Sequence, residues 1–157
     1  MPESQVIRPQ VFKAIDRFDG QYAPFSNFYP AIIEFQGIKF PTVEHAFVAA
    51  KSMDPLFWYK ISKLSAKQAG KAKSMGRRVK LRKDWEIKKI SFMKQFLKQK
   101  FIQRPFRELL LSTHPAPLVE GNYWHDNFWG DCKCKKCKYI VGLNHLGHLL
   151  MLTRGSL

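Results

Sequence analysis

Glu44 and Lys51 place a carboxylate and an amine seven residues apart in the stretch Phe40-Pro41-Thr42-Val43-Glu44-His45-Ala46-Phe47-Val48-Ala49-Ala50-Lys51. On a helix seven residues make nearly two turns, so the two heads share a face about 10 Å apart along the axis. Helical side chains tilt toward the N-terminus, and the lysine therefore leans back toward the glutamate. Such a pair could close on one small ligand, or it could be an ordinary ion pair on a solvated face. Phe47, Val48 and the alanines at 46, 49 and 50 leave little polar surface, and a charge held against buried material needs a partner or a job. Thr42 suits an N-cap. It would put Glu44 in the first turn, where the helix dipole favours an ionised carboxylate, as befits a base or a cation stabiliser.

A second group of functional side chains lies in Asn122-Tyr123-Trp124-His125-Asp126-Asn127-Phe128-Trp129-Gly130-Asp131. Trp124 and Trp129 offer rings to stack a base or sugar, and Asp126 and Asp131 offer carboxylates to act on it. Asp126 is the first candidate for a general acid or water activator, with Asp131 second. Ser26 and Asn27, set between Phe25 and Phe28 in an aromatic loop, look like the few placed polar groups of a ligand pocket.

The elements that must position these groups follow from pattern and punctuation. Residues 1–10 read as a loose arm, Val11 to Phe18 as an edge strand, and Gly20 to Pro30 as a loop. Ile32 to Phe40 reads as a hairpin about Gln36-Gly37, with Pro41 ending its second strand. Asp54-Pro55 opens a helix to about Leu64, and Ser65 caps another through Met75 that Gly76 stops. Asp84 caps the longest helix. Its apolar stripe is Ile90, Met93, Phe96, Leu97 and Phe101, with lysines opposite and Trp85 in the first turn, either as a core anchor or as part of a site wall. Pro105 opens a short helix through Leu111, Leu118 to Gly121 reads as a short strand, and Asn144 caps a last helix to Arg154 that faces Leu146, Leu149 and Leu150 inward. The expected fold is mainly helical α+β, a small N-terminal β-hairpin sheet packed on about six helices, in one domain spanning 1–157.

With 157 residues and 45% hydrophobic content the chain can bury a core of its own. No apolar run is of signal-peptide type or near the length of a membrane span, so a soluble, cytoplasmic protein without membrane contacts is expected. The net charge of +15 is concentrated. Lys60 to Lys100 holds fifteen Lys and Arg against two acids, a local excess of +13. That field would serve a polyanion such as nucleic acid, or a substrate with phosphates, though a merely solubilising face has the same composition. Cys132, Cys134 and Cys137 do not suggest a disulfide framework. They could hold a structural zinc with His125 or His145 as fourth ligand, or stand as three reduced thiols; no cofactor is otherwise required. There is no glycine-rich phosphate loop and no Ser-His-Asp ordering.

Eight pieces in order, among them Phe25-Ser26-Asn27-Phe28, Phe40-Pro41-Thr42-Val43-Glu44-His45, Ala49-Ala50-Lys51, Met75-Gly76-Arg77, Arg82-Lys83-Asp84-Trp85-Glu86, Leu118-Val119-Glu120, Trp129-Gly130-Asp131 and Gly142 to Met151, resemble the NADAR (YbiA-like) family over about Phe18 to Arg154. The resemblance implies an N-glycosidase. It acts on phosphoribosylated aminopyrimidines of the riboflavin pathway or removes ADP-ribose from guanine bases of nucleic acid, the latter in functional pairing with an ADP-ribosyltransferase. It also implies Glu44 as the central carboxylate, Trp85 as a site-lining ring, an acid from the 126–131 loop, and Lys51 as the amine of a covalent sugar adduct. Arg77 and Arg78 are then candidates for diphosphate contacts. The basic segment puts ADP-ribosylated nucleic acid first and the phosphoribosylated base second. A non-catalytic binder of ADP-ribose or nucleic acid is the rival from another class.

Overall fold

The computed structural model describes residues 10–157; apart from Gln10, the arm expected over 1–10 lies outside them. β1 (Pro30–Phe35) and β2 (Ile38–Thr42) form an antiparallel hairpin that pairs Ile33 with Phe40. Its turn residues Gln36 and Gly37 have φ of 53° and 74°, the left-handed pair that matches strand twist and that glycine adopts without strain. Ala31, Ile33 and Phe35 point inward in strict alternation. Thr42, rather than Pro41, ends β2 and then caps α1 (Val43–Ala50), its hydroxyl accepting from the His45 amide at 3.1 Å. α2 (Pro55–Ser62) starts on the Asp54 carboxylate, which accepts from the Leu56 amide at 3.0 Å.

A 3-10 turn over Ala66–Gln68, closed by a capping box between Ser65 and Gln68, leads into α3 (Ala69–Gly76). α4 (Trp85–Phe101), α5 (Phe106–Ser112) and α6 (His145–Gly155) follow. A small parallel pair, β3 (Gly121–Asn122) with β4 (Asp131–Cys132), brackets the loop between them. The architecture is therefore the expected mainly helical α+β fold, a hairpin on six α-helices. α1 is central: it packs on β1, β2, α2, α3 and α4, and all eight of its residues are buried.

Several local expectations give way to longer-range partners. Val11 to Phe18 is not a strand. Only Ile15 bridges, to Leu118, because Val11 and Phe12 are exposed and leave that segment no buried face. The strand expected at 118–121 starts at Gly121 instead. The loop from Gly20 opens as a 3-10 turn (Gly20–Phe25) that buries Phe25. Gly76 is the last helical residue of α3 and no left-handed stop. A Cβ there would touch Val48 at 3.1 Å, so glycine lets α3 approach α1. The Asp84 carboxylate heads α4 without bonding its amides and pairs with Arg82 at 2.6 Å. Asn144 precedes α6 with φ 51°, and its side chain holds the Glu120 amide and the Leu118 carbonyl instead.

Of the lysines expected opposite the α4 stripe, Lys100 is buried completely. Its ammonium donates to the Ser26 carbonyl at 2.8 Å and lies beside the rings of Tyr29, Phe101 and Phe106. Burial pushes its pKa down to about 7. Unfolded Lys100 binds its proton up to a much higher pH, so between about 7 and 10 the unfolded chain holds more protons and stability rises with pH. In urea titrations the wild type should gain on the order of 2 kcal/mol between pH 7 and 9 relative to Lys100→Met. Parallel pH dependence of the two proteins would refute a neutralised Lys100.

Candidate active site

A cavity of about 620 Å³ opens where the Ser26-Asn27 loop, α1, the end of α3 and the 122–130 loop meet. Each wall is tied to the next. The Glu44 amide donates to the Asn27 carbonyl at 3.0 Å, which fastens the aromatic loop to the first turn of α1. The Arg82 amide donates to the Lys51 carbonyl at 2.7 Å and closes the other end. On α1, Glu44 and Lys51 both line the cavity, as their spacing predicts. From α3 and the residue after it, Lys73 and Arg77 enter the same space.

The 122–130 loop is held by polar side chains in its first half and, over residues 127–130, by carbonyls that accept from the amides of residues 143–146. Asn122 donates to the Asp126 carbonyl at 2.8 Å and accepts from the Trp124 and Asp126 amides, both at 3.2 Å. One oxygen of the Asp126 carboxylate accepts from the Phe128 and Trp129 amides at 3.1 and 2.9 Å, which leaves the other for the cavity. Trp129 stands edge-on to Phe47 at 5.3 Å, and Trp124 is 60% exposed at the rim.

Burial dominates the electrostatics. It raises the pKa of Glu44, against the pull of Lys73 and Lys51. Helix position alone predicts an ionised Glu44; desolvation on a fully covered helix outweighs the dipole. Burial also lowers the pKa of Lys51, against Glu44 and with the help of Lys73, Arg77 and Lys89. Both partners are thus pushed toward their neutral forms, the direction that favours a nucleophilic amine despite the glutamate beside it.

Two groups that sequence reasoning did not single out belong to the site. Lys73 lines the cavity and acts on Glu44, Lys51 and Glu120. Glu120 also lines it, and its Oε2 is buried with no hydrogen-bond partner. Burial, reinforced by Asp126 and Glu44, lifts its pKa to about 7. Glu120 falls in one of the pieces that carry the family resemblance, Leu118-Val119-Glu120, but nothing local marked it as a site residue. Its environment is made by Gly130 and Asn144, which are distant in sequence. The Asn27 Oδ1 is a second buried acceptor without a partner, so the cavity carries unmet hydrogen-bonding capacity that a polar ligand would satisfy.

Ser26, Asn27, Glu44, Lys51, Arg77, Trp124, Asp126 and Trp129 come together at the cavity, and three sequence candidates do not. Trp85 is buried behind it, with Phe47 at 5.0 Å and the Lys51 ammonium 6.0 Å from its ring. Arg78 is exposed beyond α3. Asp131 pairs with Lys133 and accepts from the Gly142 amide at 3.0 Å, which holds its pKa down. It braces the loop from outside. Of the two histidines considered beside the cysteines, His145 lies against Phe128 at 4.6 Å, and it is His125 that reaches the thiols. Among the described residues no helix is long and apolar enough to cross a membrane.

A model of the NADAR domain matches residues 15–157. N-glycosidase YbiA of Escherichia coli (strain K12) is 39% identical over 137 residues, covering 87% of this chain and 82% of that protein. N-glycosidase Npun_R5314 of Nostoc punctiforme is 36% identical, covering 85% and 84%. The riboflavin biosynthesis protein PYRR of Zea mays is 34% identical, over 87% of this chain but 23% of that longer protein. The NMR structure of E. coli YbiA superposes with a TM-score of 0.77 at 37% identity, covering 97% of this chain and 89% of that one.

Gly130 is a point of close packing behind the site. A Cβ there would overlap the Glu120 carbonyl and carboxylate and crowd the Asn122 amide. Gly130→Ala should cost about 1–3 kcal/mol in urea unfolding. Unchanged stability would show that the loop and Glu120 do not meet as described.

Proposed function

The chain belongs to the NADAR domain family and is an N-glycosyl hydrolase, and we propose that it removes ADP-ribose from guanine bases of nucleic acid. The observation that carries this reading is one cavity in which three acids, Glu44, Glu120 and Asp126, face three cations, Lys51, Lys73 and Arg77. Lys73 and Arg77 suit a diphosphate. Phe28 and Trp124, partly exposed rings on the cavity wall, suit the stacking of a nucleobase. Both cations belong to the +13 segment, whose charge supports a polyanionic substrate.

Breaking a bond between ribose C1 and nitrogen builds positive charge at C1 and the ring oxygen and negative charge on the departing base. Glu120, protonated up to about pH 7, supplies the proton that the departing nitrogen takes up. The neutral Lys51 amine attacks C1 as that bond breaks. Ring opening gives a Schiff base, to which water adds before the amine leaves and the free sugar is released. The unspent oxygen of Asp126 takes the proton of that water. Glu44 hydrogen-bonds the ribose hydroxyls when protonated and lies against the cationic C1 when not. A phosphoribosylated pyrimidine is the second reading, favoured by the fact that only Lys73 and Arg77 of the fifteen cations between Lys60 and Lys100 line the cavity.

Mass spectrometry of products from guanine-ADP-ribosylated DNA and, separately, from the phosphoribosylamino-pyrimidine distinguishes the two. ADP-ribose release that falls about 10²–10⁴-fold in Glu44→Gln supports the proposal; turnover of the pyrimidine alone replaces it with the second reading. Borohydride should trap a sugar adduct that Lys51→Ala lacks, and no adduct would reduce Lys51 to an ion-pair partner.

The proton on Glu120 has its own signature. Because the protonated form is the active one, kcat/KM should fall as pH rises above about 7. Glu120→Gln should be slower by about 10²-fold and lack that alkaline limb. A limb that persists in the variant would assign the proton to another group.

A further inference from the structure

We propose that His125, Cys132, Cys134 and Cys137 bind a zinc ion that locks the catalytic loop from the side away from the cavity. The four ligand atoms lie within 4.8 Å of one another. The His125 Nδ1 is 3.3 Å from the Cys134 sulfur and 3.5 Å from that of Cys137. With Zn–S near 2.3 Å and Zn–N near 2.0 Å, tetrahedral angles separate nitrogen from sulfur by roughly 3.5 Å and two sulfurs by roughly 3.8 Å. The two nitrogen–sulfur distances are those of the edges of such a tetrahedron, and the whole set lies within about 1 Å of closing on it. Three sulfurs and one imidazole are also a recognised closed set for structural zinc.

The surroundings are built for the purpose. A 3-10 turn over Lys135–Cys137, in which the Cys137 amide donates to the Cys134 carbonyl at 3.1 Å, folds these two cysteines back toward one point. His125 has φ 68°, a left-handed conformation that a non-glycine residue adopts only at a cost. That backbone turns the imidazole to the thiols. The Asn127 amide donates to the Cys137 sulfur at 3.4 Å, while its Oδ1 accepts from the Cys132 amide at 2.9 Å. An amide donor to a ligating sulfur is the outer-shell contact expected of a zinc thiolate. Lys133, Lys135 and Lys138 line the hollow beside the cysteines, and Zn²⁺ with three thiolates leaves one net negative charge for them to offset.

As free thiols these groups would give only weak S–H hydrogen bonds, too little to hold a strained histidine. A disulfide would leave one cysteine over and the imidazole without a role. His125 also lines the cavity, and the next residue is Asp126. A metal held there would fix the loop that carries Asp126, which supplies a structural reason for the cluster that does not depend on which base the enzyme releases.

Elemental analysis of the full chain, purified without chelator, should find about one zinc per chain. Cobalt exchanged into the wild type should give an intense thiolate-to-metal charge-transfer band and the visible d–d envelope of a tetrahedral site. Zinc content should fall at least tenfold in Cys134→Ser and Cys137→Ser, with circular dichroism reporting whether the variants remain folded. The cobalt spectrum needs no variant, so it decides the matter if they do not. Wild-type protein that retains no metal, a cobalt spectrum without thiolate bands, or zinc retained equally in both cysteine variants would each overturn the proposal.

Discussion

Glu44 sits on a helix of eight residues that has no solvent face, since every side chain from Val43 to Ala50 is buried. The hairpin and three helices close around α1, so a carboxylate in its first turn is removed from water whatever it does chemically. The cost of that removal organises the neighbourhood. His45 is kept neutral by burial and satisfied on both ring nitrogens, by the Thr42 hydroxyl at 2.7 Å and the Ser65 carbonyl at 3.1 Å. Glu44 and Lys51 have no such fixed partners. They are eased by one another, by Lys73 near Glu44 and by the cavity, and so they remain available to a ligand.

The opposite wall solves a different problem. The 122–130 segment has no regular ladder, yet its backbone is half-buried and needs hydrogen bonds. The Asn122 and Asp126 side chains bond the amides of residues 124, 126, 128 and 129, and the carbonyls of residues 127–130 accept from the amides of residues 143–146. An Asp126 anchored to two amides on one side keeps its other oxygen aimed, because the loop cannot rotate without breaking both bonds. Gly130 lets the chain cross against Glu120 closely enough to strip one carboxylate oxygen of water. Packing at a glycine thus becomes a proton held to about pH 7.

The division between what sequence shows and what it conceals follows interaction range. Thr42 and Asp54 as caps, the Gln36-Gly37 turn, and the shared face of Glu44 and Lys51 are read within four to seven residues, and all are found in place. Asp84 and Asn144 offer the same local signal as Asp54. Arg82 captures one, and Glu120 and Leu118 capture the other. Trp85 illustrates the same limit from the other direction. Its type and position suit a site wall, but whether an aromatic ring faces a ligand or the core depends on Phe47, which reaches it from α1, and on Phe92, two turns further along its own helix. Lys100 was indistinguishable from its exposed neighbours until the Ser26 carbonyl and three rings were seen around it.

Net charge conceals most, because it sums groups that do unlike work. Between Lys60 and Lys100, Lys73 and Arg77 line the cavity, where they stabilise whatever negative charge enters. Lys100 carries a depressed pKa and supports the Ser26 loop. Arg82 and Lys89 lie over the rings of Phe92 and Phe128 at 4.9 and 4.2 Å, and each pairs with an acid. The excess of +13 is therefore not one field. Only the exposed remainder can attract a polyanion over a distance, and salt screens that attraction. The pair in the cavity acts at contact range. Affinity for phosphate at the reacting sugar and attraction to a long anionic substrate are separable properties of this chain, carried by different residues. A small substrate would draw on the first and a nucleic acid on both.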